Sequence, residues 1–282
     1  MKVINHLLYT DDDKQVPFVR SPNIQRGLKP AYIVIHYTAG NTVAGAVATL
    51  TNPSAKVSAH LVIGRDGSIT QLVPFDTIAW HAGASSWDGL TGLNQYSFSF
   101  ELDNNGRLNR KGSQWASIFG HIIPDDQVLV ATHKNGKGPF GWQTYTEPQL
   151  LATIEASQAL FDAYHLLDVV GHDDIAPLRK YDPGPAFPMD SLRAKIVGRA
   201  ENAPPVYETI GNLYIRTGAG SQFKTLIKKP LPKGTHLEKL EVDGNWMHVS
   251  VLDVIDGAMD LDGWVYTRYV TRVFNVDSHS GN

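Results

Sequence analysis

The 282-residue chain has eleven histidines and no cysteine, so any transition-metal site must be built from imidazole and carboxylate. No H-E-x-x-H is present, which excludes the helical zinc-protease arrangement. Two histidines stand out by position. His36 lies near the end of an apolar run, AYIVIHY (31–37), and precedes a polar turn. His172 follows a second short apolar run at 168–171, and Asp182 comes ten residues later in a loop rich in Pro and Gly. A catalytic zinc takes three protein ligands from rigid elements and keeps one position for the water that becomes its nucleophile. Two strand-end histidines and one loop carboxylate would supply that set. Each also has a plainer reading: a strand-end His more often makes a structural hydrogen bond, and Asp before Pro-Gly suits a turn. Glu101 closes YSFSFEL (96–102) among Phe98, Phe100 and Leu102. Burial there would raise its pKa and suit a general base, whereas an exposed strand position would leave it ordinary.

The elements that must position these residues alternate along the first two thirds of the chain. Residues 31–37 read as a strand covered on both faces. Residues 60–64 and 68–73 read as a hairpin across Arg65-Asp66-Gly67, because Asp-Gly favours a tight turn. Residues 96–102 alternate with the strand period. Thr146 opens a helix that runs to about residue 165, with Thr as N-cap, Pro148 in the first turn and Gln149 at the capping-box position. Strands mixed with covering helices predict an α/β domain with a mixed central sheet flanked by helices. The segment 104–145 is long and rich in Trp, Gly, His and Lys and is expected to be an ordered loop or lid; its His121 and His133 read as ordinary loop residues, the alternative being contact with substrate or metal.

Residues 200–206 contain A-E-N-A-P-P-V, a stiff connector that divides the chain. The expected organisation is therefore a first domain at 1–199, a linker at 200–206, a small all-β domain at 207–275 and a tail at 276–282. Short strands at 213–216, 236–242, 246–251 and 263–266, separated by turn residues, predict a small barrel. Apolar content of 42% and charged content of 19% fit a folded chain. A net charge of -3 gives no electrostatic support for nucleic-acid binding. No apolar run approaches the roughly 18 residues that span a bilayer.

Five pieces occur in one order: IVIHYTAG (33–40), SAHLVIGRDGSITQLVP (58–74), AWHAG (79–83), FELDN (100–104) and GHDDIAPLRKYDPGPAF (171–187). Together they resemble the type 2 N-acetylmuramoyl-L-alanine amidases, which share their fold with peptidoglycan recognition proteins and some phage lysozyme-amidases. The resemblance covers about residues 28 to 195. It implies His36, His172 and Asp182 as zinc ligands, Glu101 as the group that orients or deprotonates the water, and Lys180 as the oxyanion stabiliser. His60, Trp80 and His81 would line the substrate groove. Some phage members use a Tyr just before the His of the S-x-H motif, where this chain has Ala59; the base role then falls more fully on Glu101. Residues 207–273, with RTGAG, LPKGT, GNWMHVSV and DGWVYTRYV, resemble a bacterial SH3-like domain. Its Trp246, Trp264 and Tyr266 could form a binding surface or belong to its core.

The resemblance implies a zinc hydrolase that cuts the amide between muramic acid and L-alanine in peptidoglycan or muropeptides. Two other readings stand beside it: a non-catalytic peptidoglycan-binding module, and a zinc amidase acting on another acyl-peptide. The N-terminal MKVINHLLYTDDDK lacks the apolar core of a secretory signal. Synthesis in the cytoplasm is expected on that basis. Action would follow at the cell wall or periplasm after release, as for an endolysin, autolysin or injected effector, or on imported wall fragments.

Overall fold

Apolar runs rich in Val, Ile and Phe become the buried strands of a mixed sheet. In chain order these are β1 (Tyr32–Tyr37), β2 (Leu61–Ile63), β3 (Ile69–Gln71) and β4 (Ser97–Leu102). Then come β5 (Arg107–Lys111), β6 (Gln114–Ala116), β7 (Ile122–Ile123), β8 (Val128–Thr132), β9 (Pro139–Gln143) and β10 (Asp168–Gly171). The helices are α1 (Val43–Leu50), α2 (Glu147–Tyr164), α3 (His172–Ile175) and α4 (Met189–Val197). The computed structural model describes residues 1–197, 206–258 and 261–273. It divides into two compact units, Met1–Glu201 and Asn202–Asn282. The connector expected at 200–206 lies outside the described residues except for Val206, and the tail expected at 276–282 lies outside them entirely.

The central sheet of the first unit has the order β10-β1-β4-β2-β3. β10, β1, β4 and β2 run parallel, and β3 returns antiparallel across the Gly64–Ser68 turn. Ile33, Ile35, Phe98 and Phe100 are wholly buried on the face covered by α2 and α4. Each such side chain contributes about 1.5–3 kcal/mol by leaving water. Residues of opposite parity, Tyr32, Val34 and Val170, pack on the other face with Ala82 and Leu93. YSFSFEL therefore does not alternate between buried and exposed: every residue of β4 except Glu101 is buried, because both faces of a central strand are covered.

Helix α2 starts as its sequence predicts, with the Thr146 hydroxyl accepting from the Gln149 N–H. The Gln149 side chain does not return to the cap. It is fully buried and donates through Nε2 to the carbonyls of Ile63 (3.0 Å) and Asp103 (3.1 Å), tying the helix to the ends of β2 and β4.

The segment expected as a loop or lid at 104–145 is instead a second, antiparallel sheet of order β7-β6-β5-β9-β8. Leu108, Trp115 and Ile123 form its own small core. The chain enters it through Gly106, at φ +67°, where the Tyr37 ring fills the place a Cβ would occupy. Among the described residues no helix is long and apolar enough to cross a membrane.

The second unit is built from β11 (Val206–Thr209), β12 (His236–Asp243), β13 (Trp246–Val251), β14 (Leu261–Tyr266) and β15 (Val270–Arg272). They form one antiparallel sheet in the order β14-β13-β12-β11-β15, around Ile215, Leu231, Leu237, Val249 and Val265. The strand expected at 213–216 makes only isolated bridges, from Leu213 to Leu231 and from Arg216 to Thr225 and Trp264. Trp246, Trp264 and Tyr266 are half-buried.

Candidate metal centre and active site

Three adjacent parallel strands end at one place. In the register of β1 and β4, Glu101 stands beside His36. In the register of β10 and β1, Gly171 pairs with Ile35, so His172 follows at the level of His36. Paired residues on neighbouring strands share a face, and a slip of one residue would turn either side chain into the α2 core. The carboxyl ends of parallel strands are where such sheets hold ligands. Asp182 arrives from the loop after α3, and its carbonyl accepts the Asp173 N–H at 2.8 Å.

The three side chains converge. His36 Nδ1 lies 2.8 Å from His172 Nδ1, and each of these atoms lies 2.9 Å from Asp182 Oδ2. All three residues are buried. Bonds on the far sides of the rings decide what faces the cluster. The His172 Nε2–H donates to the Ala82 carbonyl at 3.2 Å, which leaves Nδ1 with a lone pair. A longer chain orients His36. The Ser97 hydroxyl donates to the Leu93 carbonyl (2.6 Å) and accepts from His81 Nε2–H (3.3 Å); His81 Nδ1 then accepts from His36 Nε2–H (3.0 Å). His36 Nδ1 is left as an acceptor too.

Two imidazole lone pairs and a carboxylate oxygen thus point at one another, an arrangement that needs a cation between them. A tetrahedral zinc with bonds of about 2.0–2.1 Å separates its ligand atoms by roughly 3.3 Å, a small expansion of this cluster. The donor set fits zinc. Outer hydrogen bonds that fix the tautomer of a ligating His are a regular part of such sites.

The electrostatics agree. Burial lowers the His36 pKa to about 4, with the neighbouring His172 adding to the effect and Asp182 opposing it, so the ring is neutral near pH 7. Glu101 goes the other way: burial first, then the Asp182 charge, raise it well above an ordinary Glu, against the pull of Lys180. Its Oε2 is shielded from solvent and has no hydrogen-bond partner among the described residues.

A groove of about 530 Å³ opens over this cluster. Its walls include Thr49 of α1, Trp80, Lys180 and Tyr181, with Glu101 and the three clustered residues in its floor. Of the residues expected to line it, Trp80 and His81 do so, but both ring nitrogens of His81 are taken by His36 and Ser97. His60 does not reach the groove, which corrects its expected role. It is fully buried, with Phe75 and Phe98 packed against its ring, Nδ1 accepting the Ser99 N–H at 3.1 Å, and Nε2–H donating to the Thr77 carbonyl at 2.9 Å.

Several wall residues escaped the reading of the sequence, Phe119 and Arg179 among them. Phe119, 67% exposed at the tip of the β6–β7 hairpin, overhangs the groove. Arg179 braces it by donating to the carbonyls of Ala82 (2.7 Å) and Ala84 (2.9 Å). Neither has a local signal: one depends on where a distant sheet docks, the other on where a loop returns.

A family model described as N-acetylmuramoyl-L-alanine amidase matches residues 26–185. The N-acetylmuramoyl-L-alanine amidase AmiD of Escherichia coli is 34% identical over 184 residues, 62% of this chain and 56% of that protein. The 1,6-anhydro-N-acetylmuramyl-L-alanine amidase AmpD of the same organism is 34% identical over 143 residues, 50% of this chain and 59% of that protein. A crystal structure of a selenomethionine derivative of AmpD superposes with a TM-score of 0.50 at 27% identity, covering 70% of this chain and 99% of that one. The chain spans a little over half the length of these curated relatives.

Proposed function

Since the chain belongs to the N-acetylmuramoyl-L-alanine amidase family, we propose that it hydrolyses the amide between N-acetylmuramic acid and L-alanine in peptidoglycan or its fragments, using zinc held by His36, His172 and Asp182. The observation that carries this reading is the convergence of three lone-pair donors beside a shielded carboxyl at the floor of an open groove.

Zinc bound there supplies a Lewis acid that polarises the amide carbonyl and a lowered pKa for water. The protein does the rest. Glu101, beside His36 and raised above the ordinary Glu range, accepts the proton of the attacking water and returns it to the nitrogen of the departing L-alanine. Lys180, on the groove wall, would supply the positive charge that offsets the negative charge growing on the carbonyl oxygen. Trp80 and Tyr181, both in the lining of the groove, offer aromatic surface to the substrate. His81 holds the His36 ring by accepting the His36 Nε2–H at its own Nδ1, and so acts on the metal ligand rather than on the substrate.

The second unit is assigned to an SH3-like barrel. Its R-x-G-x-G, L-P-K-G-T and G-W-V pieces and its antiparallel strand order support that reading. Its proposed partner is polymeric wall.

The test is digestion of purified sacculi with mass spectrometry of the soluble products. Free stem peptides beginning with L-alanine should appear, vanish after treatment with a chelator and return with added zinc. A zinc-loaded sample that releases no such peptide would overturn the proposed activity.

A further inference from the structure

The loop carrying Asp182 is gripped from the side by residues that the proposed reaction does not use. They come from the connection between β8 and β9, in the second sheet. His133 is 3% exposed, and its Nε2 lies 2.8 Å from Asp173 Oδ2. The Asn135 N–H donates to His133 Nδ1 at 3.0 Å, which places the ring proton on Nε2 and makes it the donor to Asp173. Asp173 is also 3% exposed. Its carbonyl accepts from Asn135 Nδ2 at 2.8 Å, and its Oδ1 lies 3.0 Å from Lys134 Nζ. The same lysine reaches Asp174 Oδ1 at 2.6 Å.

Asp173 is joined to both ligand-bearing positions of this loop. It follows His172 directly in the chain, and its N–H donates to the Asp182 carbonyl. The second sheet and the short segment between it and α2 grip the loop again farther on. The Tyr145 hydroxyl donates to the Pro183 carbonyl at 2.8 Å, and Trp142 closes against Gly184 so tightly that a Cβ there would lie 2.7 Å from the indole. A buried imidazole–carboxylate contact gains little as a stabilising device compared with apolar packing of the same volume. Its distinctive property is direction.

We propose that His133 and Asp173 are positioning residues for the metal centre: the β8–β9 connection clasps residues 172–184 so that His172 and Asp182 face His36 before the metal arrives. The inference rests on the reading of those three as ligands. Neither His133 nor Asp173 touches a ligand atom of the cluster; both act through the backbone of the loop. Partners of this outer kind typically contribute 10–100-fold, as an order of magnitude, to metal affinity or activity.

Zinc affinity, measured on the full chain by competition with a chromophoric chelator, tests this without relying on turnover. Asp182→Ala should abolish stoichiometric binding; if it binds zinc like the wild type, the metal-site reading itself fails. With that control in place, His133→Ala should still bind one zinc but on the order of 10–100-fold more weakly. His133→Gln, which keeps an N–H donor, should recover part of the loss. Melting of the metal-free forms separates positioning from plain stability. A lowered midpoint with zinc affinity within about twofold of wild type would overturn the proposal. Should His133→Ala fail to fold, the exposed Asn135→Ala decides the matter: weakened zinc binding supports the clasp, and unchanged binding overturns it.

Discussion

His36 and His172 point acceptor atoms at each other and at the Asp182 carboxylate because outer hydrogen bonds have already fixed the ring protons elsewhere. The central prediction at this scale is that His36→Ala, His172→Ala and Asp182→Ala each lose bound zinc and turnover together, read by elemental analysis alongside muropeptide cleavage. Glu101 should separate the two properties. Glu101→Gln should keep one zinc per chain while kcat falls by about 10²–10⁴; a variant with full kcat would remove Glu101 from the reaction. These residues were legible in the sequence because each follows an apolar run or occupies a marked loop, and five ordered motifs tie them together. His60 was misread for a physical reason. Its motif marks a place in the chain, whereas its side-chain direction is set by Phe75, Phe98 and the Ser99 N–H. His133 and Phe119 carried no local mark, since their partners lie forty residues or more away or across a groove.

At the scale of elements, the parallel strands, the Asp-Gly hairpin and the Thr146 cap were readable because period and turn chemistry act locally. The second sheet was not. Its strands are two to five residues long, and β5 has four partly or fully exposed residues out of five, so no alternation survives to be read. Two stability predictions belong here. Gln149→Leu removes both bonds from α2 to the ends of β2 and β4 and should destabilise the first unit by about 1–3 kcal/mol in chemical denaturation.

His60 gives a pH dependence. Burial lowers its pKa from 6.5 to about 4. Above pH 6.5 it is neutral in both folded and unfolded chains, and its contribution to stability is complete. Between 6.5 and 4 the unfolded chain binds the extra proton, so stability falls as the pH falls, by on the order of 3 kcal/mol across the window. His60→Gln should flatten this part of the stability–pH curve; an unchanged slope would show that His60 is not a source of it.

At the scale of the molecule, each of the two units has its own core, and the candidate site lies wholly in the first. The division was visible in the change of habit on either side of residues 200–206. A chain ending at residue 204 should therefore cleave soluble muropeptides at close to the full rate while releasing less peptide from intact sacculi. Equal loss on both substrates would give the second unit a structural task instead of wall binding.

The most direct measurement for the proposed activity follows the oxygen. Hydrolysis of a purified muropeptide in water enriched in heavy oxygen should place one labelled oxygen in the lactyl carboxylate of the muramic acid and none in the released peptide, with the labelling abolished in Glu101→Gln. Label in a peptide carboxyl group, or release of peptide with an unlabelled muramic acid, would contradict the proposed bond and the proposed attack.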